Sequence, residues 1–85
     1  MTDTTIFICR KMLTLLDAIG AAGLDEETIK GATAFVAGKP VTTDDKNLAF
    51  ETLTRRRWIV SYTDDITSRV RWYLSEEGKI ARAGL

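Results

Sequence analysis

Apolar residues in the first quarter of the chain recur with the period of an α-helix. One stripe follows the i, i+4, i+7, i+11 spacing and consists of Ile8, Met12, Leu15 and Ile19. A second stripe beside it consists of Cys9, Leu13 and Leu16. The pattern predicts a first helix over about residues 4–19, which Gly20 can end in a left-handed conformation. The combined apolar arc is wider than a peripheral helix needs, so this helix is either central or shared with a partner. We therefore expect a homodimer whose interface is formed by Ile8, Met12, Leu15 and Ile19.

Two further helical segments follow, and each is preceded by a residue that favours the N-cap position. Asp25 precedes two glutamates, whose charges suit the start of a helix, and the pattern predicts a second helix over about residues 26–37. Gly38 and Pro40 would end it. Thr42 predicts the start of a third helix, which extends over about residues 42–56.

The periodicity then changes to the strict alternation of a β-hairpin over about residues 58–74. The simplest alternation pairs Trp58 with Leu74, Val60 with Trp72 and Tyr62 with Val70, and turns all six side chains toward the core. Ser75 can cap a last helical turn, and residues 78–85 are predicted to be a short tail.

The fold class predicted from these elements is α+β, with a single domain over residues 1–85. The order of three helices and a two-stranded antiparallel hairpin is that of a winged helix-turn-helix. Three segments sharpen the resemblance: GKPVT at 38–42, LTRRRWI at 53–59 and RWYLSEEG at 71–78. They are similar to MarR- and PadR-like bacterial transcriptional regulators. That family usually places a glycine where this chain has Arg57, and it would turn Ile59 rather than Trp58 inward; a β-bulge near the strand start would reconcile the two registers.

The resemblance implies a small regulator that binds double-stranded DNA. Its third helix would enter the major groove and meet base edges with Thr42, Thr43, Lys46 and Asn47, while the hairpin follows the backbone. Phosphates would be held by Arg55, Arg56, Arg57, Arg69 and Arg71. Three carboxylates on the third helix, those of Asp44, Asp45 and Glu51, oppose this, so we expect weak, salt-sensitive binding.

Charge and composition leave a second interpretation open. The 85 residues carry 12 basic and 12 acidic side chains, whereas domains that bind nucleic acid strongly are usually basic. The positive charge is concentrated in residues 55–85, which hold 7 basic and 4 acidic groups. Balanced charge, together with 45% hydrophobic residues, favours the alternative of a winged-helix module that binds a protein partner without DNA.

Several classes of function are not expected. The chain has no histidine and a single cysteine, Cys9, on an apolar helical stripe, so we expect no enzyme activity, no metal site and no cofactor. No apolar run exceeds four residues, so no membrane-spanning segment is expected. The lack of a disulfide framework favours a cytoplasmic location.

Overall fold

The computed structural model describes residues 2–33, 35–36 and 39–84, and for Phe35, Val36 and Lys39 the backbone alone. It is α+β, as predicted. The elements in chain order are α1 (Asp3–Ile19), α2 (Glu26–Gly31), β1 (Phe35–Val36), β2 (Lys39–Pro40), α3 (Thr43–Arg55), β3 (Ile59–Thr63), β4 (Val70–Leu74) and α4 (Glu76–Gly84). A 3₁₀ turn, Gly20–Ala22, connects α1 to the segment before α2.

Helix α1 lies at the centre of the domain. It ends, as predicted, at Gly20, with φ 65°. Its N-cap is Thr2, whose hydroxyl accepts a hydrogen bond from the Thr5 backbone N–H at 3.2 Å, and not Asp3, Thr4 or Thr5, the candidates that the sequence offers. The helix packs against α3, α4 and β4, so the second apolar stripe and the first half of the other lie inside the domain. Ile8 and Met12 are fully buried in the core and cannot form the predicted surface between two copies. Leu15 is half-buried and Ile19 is exposed.

Helix α2 is shorter than predicted. Asp25 is its N-cap and accepts from the Thr28 N–H at 3.3 Å, but the helix ends at Gly31 rather than near residue 37. Thr33 is fully buried, and its N–H and hydroxyl both donate to the Lys30 carbonyl, at 3.1 and 2.8 Å, which closes the last turn. The backbone of Phe35–Val36 then pairs with Lys39–Pro40 in an antiparallel ladder. The predicted stop at Gly38 lies outside the described residues.

The observed bounds of α3, Thr43–Arg55, agree with the predicted range of 42–56 to within one residue. The Thr42 hydroxyl accepts from the Asp45 N–H at 3.1 Å, and the helix ends with Arg56 as its C-cap. Ala49, Phe50 and Leu53 lie in the core against α1.

The hairpin exists, but the predicted register is wrong by one residue. Ile59 lies opposite Leu74, and Ser61 lies opposite Trp72. Ile59, 2% exposed, therefore points into the core, whereas Trp58 is half-buried at its edge. The run carries apolar residues on both faces, so alternation alone could not choose between them. Tertiary contacts decide the register, because the core buries Ile59 and the Trp58 carbonyl accepts the Ser75 N–H at 3.0 Å. The backbone groups of Trp72 face away from β3 and bond to Leu24, at 2.7 and 3.1 Å.

The predicted C-terminal tail is a helix, α4, packed on α1. Ser75 caps it as expected: its Oγ accepts from the Gly78 N–H at 2.9 Å and donates to the Arg57 carbonyl at 2.6 Å. Gly78 is buried, and a Cβ at this position would overlap the Trp58 carbonyl oxygen. The serine and glycine of the LSEEG segment therefore hold α4 against the start of β3.

Candidate nucleic-acid interface

The first half of α3 presents three of the predicted base-contacting side chains together. Thr43, Lys46 and Asn47 follow the i, i+3, i+4 spacing that places residues on one helix face. With Glu27, Lys30 and Gly31 of α2 they line an open groove of about 260 Å³. Thr43 and Asn47 are exposed and Lys46 is half-buried. Thr42 lies at the same end, but its hydroxyl oxygen is already an acceptor in the N-cap.

Lys30 is a member of this groove that sequence reasoning missed. Its ammonium group bonds to Glu26 at 2.7 Å and lies 5.1 Å from the centroid of the Phe50 ring. Helical periodicity shows which residues share a face of one helix, but it does not show which residues of two helices lie together. The sequence pattern therefore could not place a lysine of α2 beside α3.

The acidic side chains of α3 have different neighbours. Glu51 forms an ion pair with Arg55 at 3.6 Å, and both side chains are mostly exposed. Exposed ion pairs of this kind contribute little to stability. The Arg55 guanidinium can therefore leave Glu51 and bind another anion. Asp44 and Asp45 occupy the first turn, where they offset the positive end of the helix dipole. They also place negative charge close to Lys46 and Asn47.

The three consecutive arginines lie at the other end of α3, about 18 Å along the axis from Thr43. Arg55 and Arg56 line a second groove with two other residues of α3 and with Thr2 and Thr5 at the start of α1. The Arg56 guanidinium lies 5.2 Å from the centroid of the Trp58 ring. Arg57 is exposed and has φ 59°, the left-handed conformation that glycine usually supplies. The chain therefore makes the turn into β3 with an arginine in a backbone conformation that favours glycine.

Arg71, in β4, and Arg69, just before β4, differ in whether their side chains are held by other residues. Arg71 donates from Nη1 to the carbonyls of Ala22 and Gly23, both at 3.3 Å, and so ties the hairpin to the loop before α2. Arg69 is exposed and lines a groove of about 280 Å³ with Asp25, Val70 and Arg71. The hydrogen bond from the Thr28 hydroxyl is the main cause that lowers the pKa of Asp25, and the charge of Arg71 contributes to a smaller extent.

The hairpin loop is acidic. The Asp64 carboxylate accepts from the N–H groups of Ile66 and Thr67, at 2.8 and 3.1 Å, and these two bonds lower its pKa. Asp64 lies with the acidic residue Asp65 at the tip of the hairpin, and Ile66 beside them is 94% exposed. A loop with this charge is poorly suited to the minor groove of DNA.

The nine predicted contact residues thus fall into three groups: the start of α3, the end of α3, and the hairpin. The structure brings Thr43, Lys46 and Asn47 together, and it separately brings Arg55 beside Arg56 and Arg69 beside Arg71. Carboxylates lie between or within these groups.

The one thiol of the chain lies inside the core. Burial raises the pKa of Cys9 to about 11, with a smaller opposing effect from the charge of Arg56. Its Sγ lies 3.8 Å from the Ala49 carbonyl oxygen, to which the thiol donates. A buried, protonated thiol packs like a small apolar group and is a poor nucleophile.

The chain matches no protein-family model, no curated protein and no solved structure. Within the described part of the chain, none of the helices has both the length and the apolar character needed to cross a bilayer.

Proposed function

We propose that this protein is a winged-helix DNA-binding protein, a small cytoplasmic transcriptional regulator that contacts duplexes mainly through phosphates. In this proposal α3 is the recognition helix and the β3–β4 hairpin is the wing. Membership in a group resembling the MarR- and PadR-like regulators, which rests on the sequence segments alone, is part of the same proposal.

The observation that carries the proposal is the rigid connection between α3 and the hairpin. The Phe50 ring of α3 meets the Trp72 ring of β4 edge-on, with centroids 4.9 Å apart. The exposed polar face of α3 and the arginines of the hairpin are thereby held in one fixed arrangement. A helix with exposed donors and two adjacent arginines, Arg69 and Arg71, on the second half of the hairpin suit a major groove and its flanking phosphates.

The geometry also bounds the strength of binding. Arg71 is engaged by two carbonyls and Arg56 lies over Trp58. Lys46, Arg55, Arg57 and Arg69 remain as the side chains best able to reach phosphates. About four such contacts correspond to a slope of log affinity against log salt of about −3 to −4.

Fluorescence anisotropy with labelled random and palindromic duplexes tests the proposal, with salt increased from about 20 to 200 mM. Arg69→Ala should weaken binding to all sequences and reduce the salt slope by about one unit. Arg10→Ala is the matched control, because it removes the same charge from an exposed position on α1. Absence of binding at low salt, or equal losses in both variants, would contradict the proposal. Asn47→Ala should matter only for a duplex that is bound specifically.

A module that binds another protein without DNA is the second candidate. It is favoured by the exposed apolar side chains of the hairpin, namely Tyr62, Ile66 and Val70, at 65%, 94% and 43% exposure. This candidate becomes the better one if the anisotropy titration shows no binding to any duplex.

A further inference from the structure

The outer edge of β3 offers unpaired backbone groups. In an antiparallel ladder, residues alternately direct their N–H and C=O toward one neighbour and then the other. Trp72 directs both groups away from β3 and toward Leu24, so Ser61, opposite Trp72, directs its own groups away from β4. Thr63 shares this orientation, because Asp64 next to it bonds to the Arg69 carbonyl across the hairpin at 2.8 Å.

Only the half of this edge nearest the hairpin loop is accessible to another strand. Ile59 has the same backbone orientation, but at 2% exposure its groups are covered by the domain. Ser61 and Thr63 are exposed, and their outward N–H and C=O groups have no hydrogen bond to any other residue that the structure describes. Exposed strand edges are usually protected by a proline, a lysine or a bulge. The sequence IVSYT of β3 has no such residue, and β3 pairs with β4 without interruption.

We propose that β3 pairs antiparallel with β3 of a second copy of this chain, around a two-fold axis. The register that uses the accessible groups places Ser61 of each copy opposite Thr63 of the other. Tyr62 then faces its own symmetry mate at the axis. Each exposed Tyr62 ring already lies 5.5 Å from the half-buried Tyr73 ring of the same hairpin, so the dimer would bring two such tyrosine pairs together.

Charge complementarity identifies the second copy as the occupant of this edge. Arg55, Arg56 and Arg57 precede β3, whereas Asp64 and Asp65 follow it. Antiparallel pairing places the basic end of each strand next to the acidic end of the other, twice in each dimer. Arg57, in the turn before β3, and Asp65, in the hairpin loop after it, are charged residues that flank the paired segment at its two ends, so each Arg57 lies toward the same end of the dimer seam as Asp65 of the second copy. An unrelated extended peptide would match the backbone groups but would not necessarily provide this charge pattern.

The proposed dimer is weak. Pairing along one short strand buries less than the roughly 1,200 Å² typical of stable specific interfaces. We expect a dissociation constant on the order of 100 µM, which corresponds to a modest net free energy of association. The proposal is independent of DNA binding, since it concerns the free protein.

Sedimentation equilibrium without DNA, at about 10 to 500 µM protein, tests the dimer against the expected dissociation constant. The wild-type mass should rise from 9.5 kDa toward twice that value as concentration increases. Asp65→Lys and Arg57→Glu should each weaken association about tenfold or more, because each change replaces an attraction by a repulsion at both symmetric contacts. The double variant should restore association, since the charges are then exchanged.

Two controls separate this interface from others. Asp3→Lys makes the same charge change at an exposed position on α1 and should leave association unchanged. Thr63→Pro removes an outward N–H that β4 does not use, so it should reduce association while the far-UV circular dichroism spectrum is retained. A monomer at every concentration would overturn the proposal. So would a dimer that is indifferent to Asp65→Lys, or a double variant that fails to recover.

Discussion

Replacing Gly78 with alanine tests how closely α4 packs against the start of the hairpin. An ideal Cβ on Gly78 would overlap the Trp58 carbonyl oxygen and lie 2.7 Å from Leu74 Cδ1. The Trp58 carbonyl is backbone and accepts the Ser75 N–H at 3.0 Å, so it cannot move without weakening that bond. The substitution should therefore displace α4 from β3.

The expected magnitude combines three effects. Overpacking of this kind costs about 1–3 kcal/mol. Weakening the hydrogen bonds that Ser75 makes costs about 1 kcal/mol more. The higher helix propensity of alanine returns up to about 1 kcal/mol. The net loss in the free energy of unfolding is about 1–4 kcal/mol, which for a domain of this size lowers Tm by about 4–32 °C.

Gly31→Ala is the matched control in the same assay, thermal unfolding followed by circular dichroism. Gly31 lies in α2 with no atom within 4 Å of the place that a Cβ would occupy, and its φ is not positive. This variant should be unchanged or more stable, by about 0.5–1 kcal/mol. A Gly78→Ala protein that melts at or above the wild-type temperature would refute the close approach of α4 to Trp58.

Two further predictions concern the hairpin and the core thiol. Ile59→Ala should lower the free energy of unfolding by about 2–5 kcal/mol because Ile59 is buried. Val60→Ala should lower it clearly less because Val60 is half-buried. If urea unfolding gives the reverse order, the register with Trp58 inward is favoured. Because burial raises the pKa of Cys9 to about 11 from its ordinary value of 9.0, the unfolded chain loses this proton first as pH rises. Between pH 9 and 11 the wild type should therefore lose stability more steeply than Cys9→Ala, and parallel curves would contradict the assignment.

Part of the candidate site followed from local sequence signals. The grouping of Thr43, Lys46 and Asn47 depends only on helical spacing, and α3 formed where its N-cap predicted. The engagement of Arg71 by Ala22 and Gly23 was not predictable, because these residues are nearly 50 positions away along the chain. A charged side chain in the sequence does not reveal whether a distant carbonyl holds it.

Short-range signals along the chain were sufficient for α1, α3, the caps at Asp25, Thr42 and Ser75, and the existence of the hairpin. These features depend on contacts between residues a few positions apart, which helical period, strand alternation and capping preferences report directly. Long-range contacts set the end of α2, the register of the hairpin and the full length of α4. Each of these features depends on contacts with residues far away along the chain, which the local pattern of apolar and polar residues does not report. The register follows from the burial of Ile59 in the core, and α4 is held where Gly78 lets a helix approach the carbonyl of Trp58.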